Sequence, residues 1–127
     1  MNTDMTKMKY EELTGQVLKC AFEVHNALGC GFLEKVYEKA LIHELKSCGL
    51  NVETQKAMRI EYKGENVGNY IADLVVNDKV IVELKTAACL TMIHKAQTLN
   101  YLRASGHEVA LLLNFSKPRL EYKRVVR

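Results

Sequence analysis

Apolar positions in the first third of the chain recur with helical spacing. Leu13, Val17, Leu18, Ala21, Val24 and Leu28 fall three and four residues apart, which predicts a helix from about Lys9 to Leu28. Gly29-Cys30-Gly31 breaks the rhythm. Leu33, Val36, Tyr37, Ala40, Leu41 and Leu45 resume it in a second helix over about Leu33–Cys48, and Gly49 suits its C-terminal cap because glycine accepts a positive φ. From Val52 the period becomes two: Met58, Ile60 and Tyr62 alternate with Arg59, Glu61 and Lys63, the mark of a strand. Lys63-Gly64-Glu65-Asn66 reads as a turn. Val67–Val76 and Val80–Lys85 are apolar on both faces over much of their length and are expected to be central strands covered by helices. Thr91 can cap a helix that ends near Ser105 at Gly106. Val109–Phe115 reads as another buried strand, Pro118 as a turn and Leu120–Val126 as an edge strand.

The predicted order is α-α-β-β-β-α-β-β, an α/β chain with a mixed sheet flanked by helices. Strand Val80–Lys85, the helix after it and strand Val109–Phe115 make a β-α-β unit, whose strands should be parallel and joined by a right-handed crossover. The preceding hairpins are antiparallel. A length of 127 residues fits one domain spanning the chain, with residues 1–8 expected to be flexible. There are no repeats, low-complexity stretches or linkers.

Composition narrows the class only slightly. Hydrophobic residues at 48% and charged residues at 26% exclude a disordered or fibrous chain. A formal net charge of +3 is too mild to announce a nucleic-acid partner, and it does not exclude one. No apolar stretch approaches the roughly 20 residues of a membrane span, and the polar start lacks the core of a signal peptide. An intracellular, cytoplasmic protein without a membrane partner is expected. Cys20, Cys30, Cys48 and Cys89 have long irregular spacings with no CxxC pair, so they read as reduced thiols that mostly serve packing. His25, His43, His94 and His107 form no ligand pair.

The chemistry concentrates in Ala72–Lys85. If Asn77-Asp78-Lys79 is a three-residue loop, Val76 faces Val80 and Asp73 faces Glu83. Ala72, Leu74, Val76, Val80, Val82 and Leu84 then share one apolar face. Asp73, Glu83 and Lys85 share the other with Ile71, Val75 and Ile81. A two-residue loop would separate the carboxylates, so the register decides whether a site exists. Two adjacent carboxylates in an apolar strand setting repel and lose hydration. A cation between them relieves both, and oxygen ligands suit Mg²⁺ or Mn²⁺. An ordinary salt bridge from Lys85 to Asp73 or Glu83 is the competing reading. Gln97 and Tyr101 lie one turn apart on the helix that returns over the sheet. Glu34 opens the second helix, where the helix dipole alone would favour an acid.

Taken in order, Asp73, Glu83-Leu84-Lys85 and Gln97-Thr98-Leu99-Asn100-Tyr101 resemble the D…ExK…QxxxY series of the PD-(D/E)XK nuclease superfamily, especially its RecB-like branch. Gly31-Phe32-Leu33-Glu34-Lys35-Val36-Tyr37 resembles the motif of the GxxExxY family within it. The resemblance runs from about Gln16 to Val126. It implies a restriction-endonuclease-like α-β-β-β-α-β core. It also implies a metal site made by Glu34, Asp73, Glu83 and the Leu84 backbone carbonyl, with Lys85 as catalytic lysine and Gln97 and Tyr101 lining the site. Ala72 stands where the "PD" proline would be, and the cysteines do not reproduce the iron–sulfur pattern of some RecB-like nucleases, so no cluster is expected.

The leading expectation is therefore a nuclease that hydrolyses phosphodiester bonds in DNA or RNA with Mg²⁺ or Mn²⁺, Lys85 assisting the attacking water. Lys35, Lys56, Arg59, Lys95 and Arg103 are candidate contacts to the nucleic-acid backbone. One alternative is a non-catalytic nucleic-acid- or protein-binding module on the same fold. The other is an interaction protein of toxin–antitoxin type, whose charged hairpin is only a ladder of salt bridges. A homodimer could form through strand Leu111–Phe115 or edge strand Leu120–Val126.

Overall fold

A computed structural model describes residues 3–127, with side chains from residue 10 onward. The elements are α1 (Thr3–Leu28), α2 (Glu34–Ser47), β1 (Val52–Tyr62), β2 (Glu65–Val76), β3 (Val80–Lys85), α3 (Met92–Ser105), β4 (Val109–Asn114) and β5 (Glu121–Val126). This is the order read from the pattern, and it is consistent with a restriction-endonuclease-like core. α1 begins six residues before the expected Lys9. Of residues 1–8, expected to be flexible, the first two lie outside the described residues.

The sheet runs β1-β2-β3-β4-β5. β3 and β4 are parallel and every other neighbour is antiparallel. α3 makes the parallel connection. Thr91 Oγ1 caps it by accepting from His94 N–H, and Gly106 ends it at φ 77°. The β1–β2 turn holds Lys63 and Gly64 at φ 50° and 82°, a geometry that follows the right-handed twist of the strands.

Two cores lie on opposite faces of the sheet. Leu13, Val17, Ala21 and Val24 of α1 and Tyr37, Leu41 and Leu45 of α2 pack on Leu74, Val76, Val80, Val82, Leu84, Leu111 and Leu113. Leu102 of α3 packs with Tyr70, Ala72, Val75, Ile81, Ala110 and Leu112 on the other face. Full burial of each large apolar side chain contributes roughly 1.5–3 kcal/mol. Tyr37 does more than fill space. Its hydroxyl donates to Gly29 O at 2.6 Å and accepts from Phe32 N–H at 3.2 Å, while its ring stacks on Phe115. It thereby fastens the α1–α2 connection.

Several expectations are corrected. Ala72 does not share a face with Leu74 and Val76; it packs on the α3 side with Tyr70. β2 changes parity around Asp73, opposite Gln55, whose φ of 47° kinks β1 there. Leu33 and Val36 are exposed rather than core, because only the stripe Tyr37–Leu41–Leu45 of α2 faces the sheet. β2 is central only in its second half. Its first half outruns the six-residue β3 and pairs with β1 alone, leaving Val67 and Ile71 exposed. Leu111–Phe115 offers no contact surface, since β4 lies between β3 and β5 with both faces covered. Three of the four cysteines are exposed; only Cys20 is buried.

Candidate functional site

β2 and β3 pair from Val76↔Val80 to Leu74↔Val82. The three-residue loop and the predicted register are therefore present, and the next position sets Asp73 against Glu83. There the ladder of backbone bonds gives way to side chains. Leu84 N–H donates to Asp73 Oδ2 at 2.9 Å, and Asp73 N–H donates to Glu83 Oε1 at 3.4 Å. The parity change of β2 makes this opening: Tyr70 and Ala72 have moved to the α3 face, so Asp73 stands at the seam between the two cores.

Glu83 is almost fully enclosed, 7% exposed. Its Oε1 also accepts the Tyr70 hydroxyl. Tyr101 of α3 lies flat on the Tyr70 ring, centroids 3.7 Å and planes 7° apart. Burial pushes the Glu83 carboxyl up to about 7, with the Asp73 charge adding to the rise; Tyr70 and Lys85 oppose it. Burial beside the Glu83 carboxylate likewise pushes the Tyr70 phenol up.

Glu34 is the first residue of α2. Desolvation by the surrounding protein and then the Asp73 charge raise its carboxyl above the ordinary range, and the nearby Lys85 pulls it back. Glu34 is itself exposed, and it forms no three-carboxylate cluster with Asp73 and Glu83. Lys85 itself is half-buried and, among the described residues, enters no ion pair within 4.0 Å. The reading of the hairpin as a salt-bridge ladder therefore lacks its central bond. Gln97 is exposed on α3, a turn before Tyr101.

Three contributors escaped the sequence reading. Tyr70 looks like any strand aromatic until β2 changes face. Glu38 is buried one turn after Glu34; it bonds Lys35 Nζ at 2.8 Å and Gln55 Nε2 at 2.7 Å, tying α2 to the kink in β1. Asn114, fully buried in β4 beside Lys85, holds Ala87 N–H, Ala87 O and Glu121 Oε1. It thus fixes the path from Lys85 into α3. The residue types of Glu38 and Asn114 signal polarity but not this burial. Of the candidate backbone contacts, Lys35 is paired with Glu38, Lys56 with Glu53 and Asp78, and Arg59 with Glu61; Lys95 and Arg103 are exposed.

Among the described residues no three His, Cys, Asp or Glu side chains form a ready metal cage. The metal donors that do meet are both carboxylates, those of Asp73 and Glu83, linked through the N–H groups of Leu84 and Asp73. That set fits a hard cation such as Mg²⁺, which keeps several waters and needs only one or two protein carboxylates. It does not fit a thiophilic or imidazole-seeking metal. A hollow of about 310 Å³ lined by Tyr10, Glu12, Leu13, Gln16, Asn77 and Lys79 lies at the other end of the hairpin. Among the described residues its lining carries the single carboxylate of Glu12, not a pair. No described helix is long and apolar enough to cross a membrane.

No curated protein matches the sequence. Among solved structures, the chain is similar to the crystal structure of SSO0001, with a TM-score of 0.60 at 22% identity. The similarity covers 96% of this chain and 62% of that one, a likeness of fold. The sequence model of the PD-(D/E)XK nuclease superfamily matches residues 11–125, and the chain belongs to that superfamily.

Proposed function

We propose that this chain is a metal-dependent nuclease that hydrolyses phosphodiester bonds in nucleic acid, DNA in the first instance, and that it falls within the GxxExxY family of the RecB-like branch. The observation that carries the reading is the meeting of Asp73 and Glu83 where the β2–β3 ladder opens, with Lys85 two residues along β3 and in no ion pair among the described residues. Asp73, Glu83 and the Leu84 carbonyl would hold Mg²⁺ or Mn²⁺, with Glu34 holding a water or a second ion. A bound divalent ion supplies Lewis acidity toward the phosphate and a water activated at neutral pH. Lys85 would orient the attacking water and offset the negative charge that grows on the phosphoryl oxygens in the transition state. Gln97 contacts the phosphate from α3. Tyr101 braces Tyr70, and through it the position of Glu83.

The test is cleavage of single- and double-stranded DNA and RNA with Mg²⁺, Mn²⁺ or EDTA. Divalent-dependent cleavage by the wild type should fall about 10²–10³-fold in Lys85→Ala, the range seen when one transition-state donor is removed, and at least as far in Asp73→Asn. Equal cleavage by all three proteins would sink the reading, because a contaminating nuclease would then explain it. The bond from Tyr70 to Glu83 supports a second reading, a non-catalytic binding module whose acid is permanently engaged. Calorimetric titration with Mn²⁺ separates the two: heat that Glu83→Gln abolishes belongs to the nuclease reading.

A further inference from the structure

Away from the carboxylates, α1 and α2 bring two thiols together. Cys20 and Cys48, 28 residues apart in the chain, have their sulfurs 3.7 Å apart. Cys20 is buried on α1, whereas Cys48 is exposed at the C-cap of α2. A hollow of about 210 Å³ opens over the pair, lined by Gln16, Lys19, Cys20, Glu23, Glu44 and Cys48. One sulfur is thus reachable from solvent and the other waits directly behind it.

We propose that Cys20 and Cys48 are a redox-active dithiol, which a low-molecular-weight disulfide such as oxidised glutathione converts to an intramolecular disulfide. A disulfide bond is about 2.05 Å long, so the sulfurs must approach further. The backbone at Cys48 can supply that movement. It sits at φ −89° and ψ 7°, outside the helix, and the next residue is Gly49 at φ 78°. Cys30 and Cys89 are both exposed, and neither has a thiol neighbour among the described residues.

The exchange balances without another reactant. The Cys48 thiolate attacks one sulfur of the glutathione disulfide; that bond breaks and one glutathione leaves as a thiol. Cys20 then loses its proton, and its sulfur attacks the Cys48 sulfur and expels the second glutathione. Two protein thiols are oxidised, one external disulfide is reduced, and both protons end on glutathione. Burial, and then the contact with Cys48, push the Cys20 thiol up to about 12, and Lys19 only partly opposes them. Cys48, the exposed thiol, is thus the one that carries glutathione transiently, with Cys20 resolving it.

The experiment is titration of the folded, reduced chain with oxidised glutathione, then alkylation, digestion and mass spectrometry, with thermal melts of both forms. A Cys20–Cys48 linked peptide is expected, together with a melting temperature that rises on oxidation and returns with dithiothreitol. Cys20→Ser should stop at a stable glutathione adduct on Cys48, and Cys48→Ser should give neither product. A Cys30→Ser, Cys89→Ser double variant leaves the pair native and must still form the link. Pairing that requires Cys30 or Cys89, only intermolecular dimers, or full alkylation of Cys20 and Cys48 after the titration would each overturn the proposal.

Discussion

Tyr101 holds Tyr70 flat against itself, and Tyr70 in turn donates its hydroxyl to Glu83. A metal that takes Glu83 must therefore compete with a hydrogen bond to a charged group, of the order of 1.5–3 kcal/mol. Tyr70→Phe keeps the ring stack and removes the competitor. Above the pH at which the Glu83 carboxyl, no longer held down by Tyr70, has lost its proton, it should bind Mn²⁺ roughly tenfold more tightly than the wild type by calorimetry. Unchanged or weaker binding would show that Tyr70 does not oppose the metal.

Asp73 has a structural duty as well as a chemical one, since it receives the Leu84 N–H. Asp73→Ala strands that donor and should lower stability by about 1–3 kcal/mol in urea unfolding. Asp73→Asn keeps an acceptor in place and should cost less than half as much, while losing cleavage as fully. Equal destabilisation by both would mean that the charge, not the bond, secures the hairpin.

Glu83 makes stability fall as pH rises. Its folded carboxyl is pushed up to about 7 from a reference of 4.5. Between those values the folded state binds more protons than the unfolded one, so unfolding free energy decreases with pH across that window. Metal-free wild type should be more stable at pH 5 than at pH 7.5, by on the order of 1–3 kcal/mol. Glu83→Gln should flatten the profile. Mn²⁺ affinity should move oppositely, rising as pH passes about 7, because the ligand must be deprotonated.

Tyr37→Phe should test the joint between the first two helices. It preserves the stack on Phe115 but strands Gly29 O and Phe32 N–H. A loss of about 1–2 kcal/mol is expected, with amide exchange quickening at Phe32 and Glu34 more than in the sheet. A uniform increase in exchange would argue against a local joint.

The hairpin register was legible because loop length and a period of two together specify which residues face each other. Val76↔Val80 leads directly to Asp73 beside Glu83. The change of face in β2 was not legible. It lies opposite a positive φ at Gln55, a residue type that carries no such signal. Strict alternation sets Ala72 with Leu74 and leaves Tyr70 away from Glu83, whereas the structure puts Tyr70 and Ala72 on the α3 face. Glu38 was hidden by a different mechanism. An acid on a helix surface resembles any solvated residue until a side chain from another element, here Gln55, closes over it.

In a hairpin slipped by a single residue, Glu83 would leave Tyr70 and turn into the apolar core under α1 and α2, because alternate residues of β3 serve different cores. Misregistered chains are thus rejected by packing alone. Any molecule that has passed this proofreading already has Asp73 and Glu83 side by side, so assembly of the carboxylate pair requires no separate maturation step.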